Sequence, residues 1–231
     1  MFVAGLGLGG FESPEKNWLL GPGAETWVVL GAKYAYQIRR GSLQRLFAPI
    51  FLHSGLIQIV INLYGQVRMG LYLERSWGWY RFMCIHFFGG IGGILLSCII
   101  QTNTIGCGAG ASLMALLGAY GAQLIMTFHR LDSQQLLADC FLSSALVCIT
   151  MIEGIAPLHA YVDFTAHLAA LVIGFFIAIF VFGKDFGRPN SFFSKWRTRF
   201  LALLFLVLYF IGCFVVFFTI IHPEEIDLED M

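Results

Sequence analysis

Four polar side chains fall within long apolar runs of this chain, and their types and spacing could do chemistry: His53, Gln58 and Asn62 in one run, and His167 in another. A polar group in a lipid bilayer is costly unless it is paired, so each such residue is a functional candidate by default. The spacings of five and four residues put His53, Gln58 and Asn62 within one sector of a helix, with Gln58 and Asn62 one turn apart. Histidine can carry a proton near neutral pH. The two carboxamides can donate hydrogen bonds. A third run opens with GCGAGASLMALLG (Gly106 to Gly118), which brings Gly110 and the hydroxyl of Ser112 to the start of a helix.

The elements that must position these residues follow from composition. Of 231 residues, 58% are hydrophobic and 12% charged, with a mean hydropathy of +0.77. A soluble domain carries about 25% charged residues. The apolar runs approach or exceed the roughly 20 residues that cross a bilayer as a helix, and in lipid the backbone must satisfy its own hydrogen bonds. The runs are too continuous for a membrane β-barrel. The expected fold class is therefore an all-α polytopic membrane protein, with six helices at about 48–67, 80–100, 109–128, 136–156, 162–183 and 200–221. Residues 12–46 are too polar to span, and their alternating Trp, Tyr and charged residues suit a segment at the membrane interface. Met1 to Phe11 is apolar but short and lacks the basic leader of a signal peptide.

Loop charge sets the expected orientation. The loops after helices one, three and five hold Arg68, Arg75 and Arg81; Arg130; and Lys184, Arg188, Lys195, Arg197 and Arg199. The loops after helices two and four hold no Lys or Arg. The basic loops are expected in the cytoplasm. The N-terminal segment, with Lys16, Lys33, Arg39, Arg40 and Arg45, then lies outside, against the same rule; three internal loops outweigh it. Helices one, three and five all enter from outside, so Gln58, Gly110 and His167 are expected at a common depth in the outer half of the membrane.

Other features have plainer readings. Gly89 and Gly93, Gly118 and Gly121, and Ala166, Ala170 and Gly174 are small residues that let membrane helices approach closely. The six cysteines form no CxxC pair and read as buried hydrophobes. No metal or other cofactor is implied, and zero net charge suggests no nucleic-acid partner. His86, His129, His159 and His222 lie near helix ends or in loops. Asp163, four residues before His167, either pairs with it or caps its helix. An internal repeat is lacking, and intramembrane charges are too few for a transporter or channel.

From about Asn17 to Ile221 the chain resembles the rhomboid family of intramembrane serine proteases. The resemblance rests on NWLLGP (Asn17 to Pro22), GAKYAYQI (Gly31 to Ile38), RLFAPIFLHSGLIQIVIN (Arg45 to Asn62), GLYLERSWGWYRF (Gly70 to Phe82), GGIGGILLS (Gly89 to Ser97) and FTAHLAALVIG (Phe164 to Gly174), in that order. It implies that the family's first helix is missing here and that the helix at 200–221 is an additional C-terminal one. The implied organisation is a first-loop segment (1–46), a membrane core (47–184), a basic loop (185–199), the extra helix (200–221) and an acidic tail (222–231).

The family uses a Ser–His dyad, in which the histidine takes the serine proton and the serine attacks a peptide carbonyl. Carried over, His167 fills the base position, and Gln58 and Asn62 the oxyanion positions. LMALLG (Leu113 to Gly118) sets the register so that the nucleophile position falls on Gly110, which has no side chain. Ser112 is an alternative nucleophile, but two residues rotate a helical side chain by about 200°. Cys107 is a weaker alternative, because nothing marks it as activated. Met114 replaces an aromatic, and Ala170 a glycine, beside the histidine. The resemblance therefore implies either a catalytically impaired rhomboid that binds the transmembrane segments of single-span client proteins, or an active serine endopeptidase using Ser112 and His167. In both cases the protein is a multi-pass protein of the secretory pathway or plasma membrane, with its site facing the non-cytoplasmic side.

Overall fold

The computed structural model describes residues 1–130, 132, 134, 162–186, 192 and 195–226. Among these, four helices are long and apolar enough to cross a membrane: α6 (Trp79–Ile100), α7 (Gly110–Thr127), α8 (Phe164–Phe186) and α9 (Trp196–Thr219). Shorter elements precede them: α1 (Phe2–Gly9), α2 (Ala24–Leu30), β1 (Lys33–Tyr34), α3 (Ala35–Arg39), two 3-10 turns (Leu43–Leu46 and Ala48–Phe51), α4 (Leu56–Gly65) and α5 (Leu71–Trp77). A strand β2 (Ile105–Gly106) lies between α6 and α7. The expected helix at 136–156 lies outside the described residues.

Helix α7 is buried along almost its whole length and forms the centre of the bundle. Its neighbours α6 and α8 approach it through small residues. A Cβ placed on Gly118 would sit 1.9 Å from the Leu171 carbonyl oxygen, and one on Gly174 would sit 1.9 Å from that of Ala115. Gly89 faces Ala115 of α7, while Gly93 lies against the Ala166 carbonyl of α8. Gly121, expected to pack in the same way, has open space where a Cβ would point.

The first expected helix, 48–67, is corrected. Pro49 sits in a 3-10 turn rather than a longer helix, and residues 52–55 are non-helical. Helical structure starts at Leu56 and runs through a π-type turn (Gln66–Gly70) into α5, ending at Trp77. The cause is a clamp. The Asn17 carboxamide donates to the Pro22 and Ser54 carbonyls, and Leu56 and Ile57 donate their backbone N–H groups to Leu20 and Leu19. Gly21 and Gly55 allow this contact, since a Cβ on either would lie 2.0 Å from a carbonyl oxygen of the other segment. Residues 17–22 thus fix where α4 begins. Arg68, expected in a loop, lies within the π-type turn.

The segment before α4 docks on the bundle. β1 pairs antiparallel with β2, Lys33 opposite Gly106 and Tyr34 opposite Ile105. Lys33 is 1% exposed. Its ammonium donates to Asp163 at 3.0 Å, Ser97 Oγ at 2.8 Å, Thr104 Oγ1 at 2.8 Å and the Gln101 carbonyl at 3.1 Å. Ser97 donates its hydroxyl to the same Asp163 oxygen. The other Asp163 oxygen accepts the Ala166 N–H at 2.9 Å, capping α8. The cap reading of Asp163 therefore holds, with Lys33 as its ionic partner.

Two stability predictions follow from these contacts. Gly174→Ala should destabilise the purified protein by about 1–3 kcal/mol through overpacking, whereas Gly121→Ala should be neutral or mildly stabilising; thermal unfolding in detergent compares them. Lys33→Met should cost about 3–5 kcal/mol by leaving a buried carboxylate unpaired, and adding Asp163→Asn should recover part of the loss. Equal effects for the two glycine variants, or no recovery in the double variant, would contradict these assignments.

Candidate functional site

The polar residues singled out in the sequence meet where α4, α7 and α8 begin. His167 is the fourth residue of α8, in its first turn, and its backbone N–H bonds to the Asp163 carbonyl at 3.1 Å. The Asp163 cap and the Lys33 cluster therefore fix the depth of the imidazole, which is 3% exposed. Gly110 opens α7. β2 and its pairing with β1 hold the turn that delivers it, and Gly108 in that turn has a φ of +133°, which only glycine adopts readily.

Gly110 and His167 face each other directly. A Cβ on Gly110 would lie 2.3 Å from His167 Nε2 and 2.7 Å from Cε1. The imidazole thus occupies the space that a side chain at position 110 would need. Any substituent there would touch the ring nitrogen, and the ring would have to swing aside to admit it.

Ser112 points elsewhere. Its side chain is fully buried, and a Cβ on Gly90 of α6 would lie 2.2 Å from its Oγ. The hydroxyl fills the notch left by Gly90, with no hydrogen-bond partner among the described residues. That direction agrees with the rotation of about 200° between positions 110 and 112 on a helix. Cys107 precedes α7 and is buried, and burial pushes its thiol up to about 12. It is held as a thiol, not as a nucleophilic thiolate.

Gln58 and Asn62 differ in their surroundings. The Gln58 carbonyl accepts the Ser54 N–H at 2.7 Å and the Ser54 hydroxyl at 2.9 Å, and its amide donates to the Cys107 carbonyl at 3.3 Å. It ties α4 to the turn before α7, and Gly108 leaves room for it, since a Cβ there would lie 2.6 Å from Gln58 Nε2. Asn62, one turn on, is 1% exposed, and neither polar atom of its side chain has a partner among the described residues. It lines an open cleft of about 320 Å³ with His53, Gln66, His86 and Ala109. An unsatisfied buried carboxamide is costly, on the order of 1–3 kcal/mol. This one borders space in which a partner could reach it.

The structure brings Gly110 and His167 together, sets Gln58 against the turn before Gly110, places Asn62 in the adjoining cleft, and turns Ser112 away. Met114 and Ala170 are both fully buried in the surrounding core. The sequence reading missed Lys33, Ser54, Ser97 and Thr104. Ser97 alone carried a signal, as a polar residue late in an apolar helix. His86, read as a helix-end residue, is 8% exposed and lines the same cleft as Asn62.

Comparison with known proteins is consistent with this arrangement. A family model described as Rhomboid domain matches residues 40–184. The chain is 32% identical over 190 residues to RHOMBOID-like protein 1 of Arabidopsis thaliana, covering 80% of this chain and 47% of that protein. It is 28% identical over 166 residues to Rhomboid-like protease 2 of Toxoplasma gondii, covering 71% of this chain and 57% of that one. With RHOMBOID-like protein 6, mitochondrial, of Arabidopsis thaliana it shares 26% identity over 213 residues, 89% of this chain and 67% of the other. The chain thus spans about half to two thirds of the length of these curated relatives. With the Rhomboid domain covering most of its length, the chain belongs to the rhomboid family of membrane proteins.

Proposed function

We propose that this chain is a catalytically impaired rhomboid that binds the transmembrane segments of single-span client proteins within the bilayer. The observation that carries the reading is the contact between Gly110 and His167. The position that faces the base has no side chain, and the base fills the space instead. Acyl transfer needs a nucleophile beside the base, and glycine supplies none at this position.

The rest of the site suits binding. Asn62 offers a donor and an acceptor at a cleft large enough to admit part of a polypeptide. A client segment with locally unwound backbone would satisfy both, because exposed peptide groups in lipid need partners. On this reading the protein is a multi-pass protein of the secretory pathway or plasma membrane, its site opens toward the non-cytoplasmic side, and the basic end of the bundle faces the cytoplasm. The alternative is an active serine endopeptidase using Ser112 and His167. It would need α7 to turn or shift so that the Ser112 hydroxyl leaves the Gly90 notch.

The two readings separate in one experiment. The protein is reconstituted with a single-span substrate carrying a photocrosslinker, and with a serine-reactive fluorophosphonate. The wild type should crosslink to the substrate without cleaving it and without labelling by the probe. Asn62→Leu should reduce crosslinking while the protein stays folded. Gly110→Ser should gain labelling at position 110, since the new hydroxyl would lie beside His167. Wild-type labelling at Ser112 with cleavage, both lost in Ser112→Ala, would establish the protease. A folded Gly110→Ser variant that stays unlabelled would show that the Gly110–His167 geometry is not that of a dyad.

A further inference from the structure

The opposite end of the bundle carries a second cleft, remote from His167. It lies between the first half of α6, the second half of α8 and the first two thirds of α9, and has a volume of about 340 Å³. Tyr80, Cys84 and Phe88 line it from α6, Val181 from α8, and Leu206 and Phe210 from α9. The wall is apolar from Cys84 inward. Along α6 it extends about 12 Å, from Tyr80 to Phe88, at 1.5 Å per residue.

The mouth is different in character. Arg81 lies next to Tyr80, its guanidinium carbon 5.3 Å from the centre of the Phe182 ring. Arg199 donates its Nε–H to the Phe180 carbonyl at 3.0 Å, and Phe180 also lines the cleft. Both arginines are thus held against α8, Arg199 on a residue that lines the cleft and Arg81 on the neighbour of lining residue Val181. Lys184 stands at the end of α8, and Lys195 and Arg197 at the start of α9. Trp79, Tyr80 and Trp196 are 68%, 66% and 70% exposed at this level. Exposed Trp and Tyr mark the depth of lipid headgroups.

We propose that this cleft is a binding site for an anionic glycerophospholipid of the surrounding leaflet. One acyl chain lies between α6, α8 and α9, and the phosphate sits between Arg81 and Arg199. Charge decides among the occupants. Another transmembrane segment or a second copy of this chain would fill the apolar wall but gain nothing from a basic rim. An amphiphile with an anionic head and a hydrocarbon tail uses both. Basic clefts between membrane helices bind such headgroups, and each basic residue near an anionic lipid is worth roughly fivefold in affinity.

The test is native mass spectrometry of the full chain released from detergent, with equal amounts of phosphatidylglycerol and phosphatidylcholine bearing the same acyl chains. Phosphatidylglycerol should be retained preferentially. Arg81→Gln with Arg199→Gln should lower its retention on the order of twentyfold, to the level of phosphatidylcholine. Cys84→Trp, which fills the cleft, should release both lipids, and Leu206→Trp serves if that variant does not fold. Thermal unfolding checks that each variant remains folded. Equal retention of the two lipids, a preference that survives filling the cleft, or a dimer or foreign polypeptide lost on filling it would overturn the proposal.

Discussion

The Lys33–Asp163 ion pair holds the site together. Lys33 comes from β1 and Asp163 from just before α8; Ser97 near the end of α6 bonds to both, and Thr104 in the turn beyond it bonds to Lys33. Two opposite charges in a nearly dry interior are tolerated only when close and fully hydrogen-bonded. That requirement fixes four chain segments at once. It sets the start of α8, hence His167. It also holds β1 against β2, hence the turn that leads into Gly110.

Around this anchor the helices approach by leaving out side chains. Gly118 and Gly174 let α7 and α8 touch backbone to backbone, Gly93 does the same between α6 and α8, and Gly89 admits the Ala115 methyl of α7. In lipid no hydrophobic force drives helices together, so close packing must do it. The same economy shapes the site. Gly90 receives the Ser112 hydroxyl, Gly108 admits Gln58, and Gly110 admits the His167 ring. At Gly110 the space is filled by the base itself. The unpaired carboxamide of Asn62 faces the adjoining cleft.

The two ends of the bundle divide the labour. The end with the ion pair carries the polar constellation and the docked first-loop segment. The end with Arg81, Lys184 and Arg199 carries charge and interfacial aromatics. Trp77 packs its ring at a tilt against Phe182 and Arg81 lies over the same ring, so the segment GLYLERSWGWYRF closes that end. Helix α9 links both ends: Arg199 bonds to α8 near its start, and the Phe217 carbonyl accepts from Arg39 near its finish.

The membrane class, four of the long helices and the family motifs were legible in the sequence, because apolar length and residue spacing are local properties. His167, Asn62, Gln58 and the glycine at 110 were legible for the same reason: polar or missing side chains stand out in apolar helices. The start of α4 was not, because a clamp from residues 17–22 decides it. Nor was the role of Lys33, whose partners lie 64 to 130 positions away. The sequence alone determined that an apolar helix carries a histidine at 167 and that another opens with glycine at 110. Only the tertiary structure decided that Gly110 and His167 are in contact while Ser112 turns to Gly90, since helix rotation is set by packing against neighbours and not by the residues of one helix.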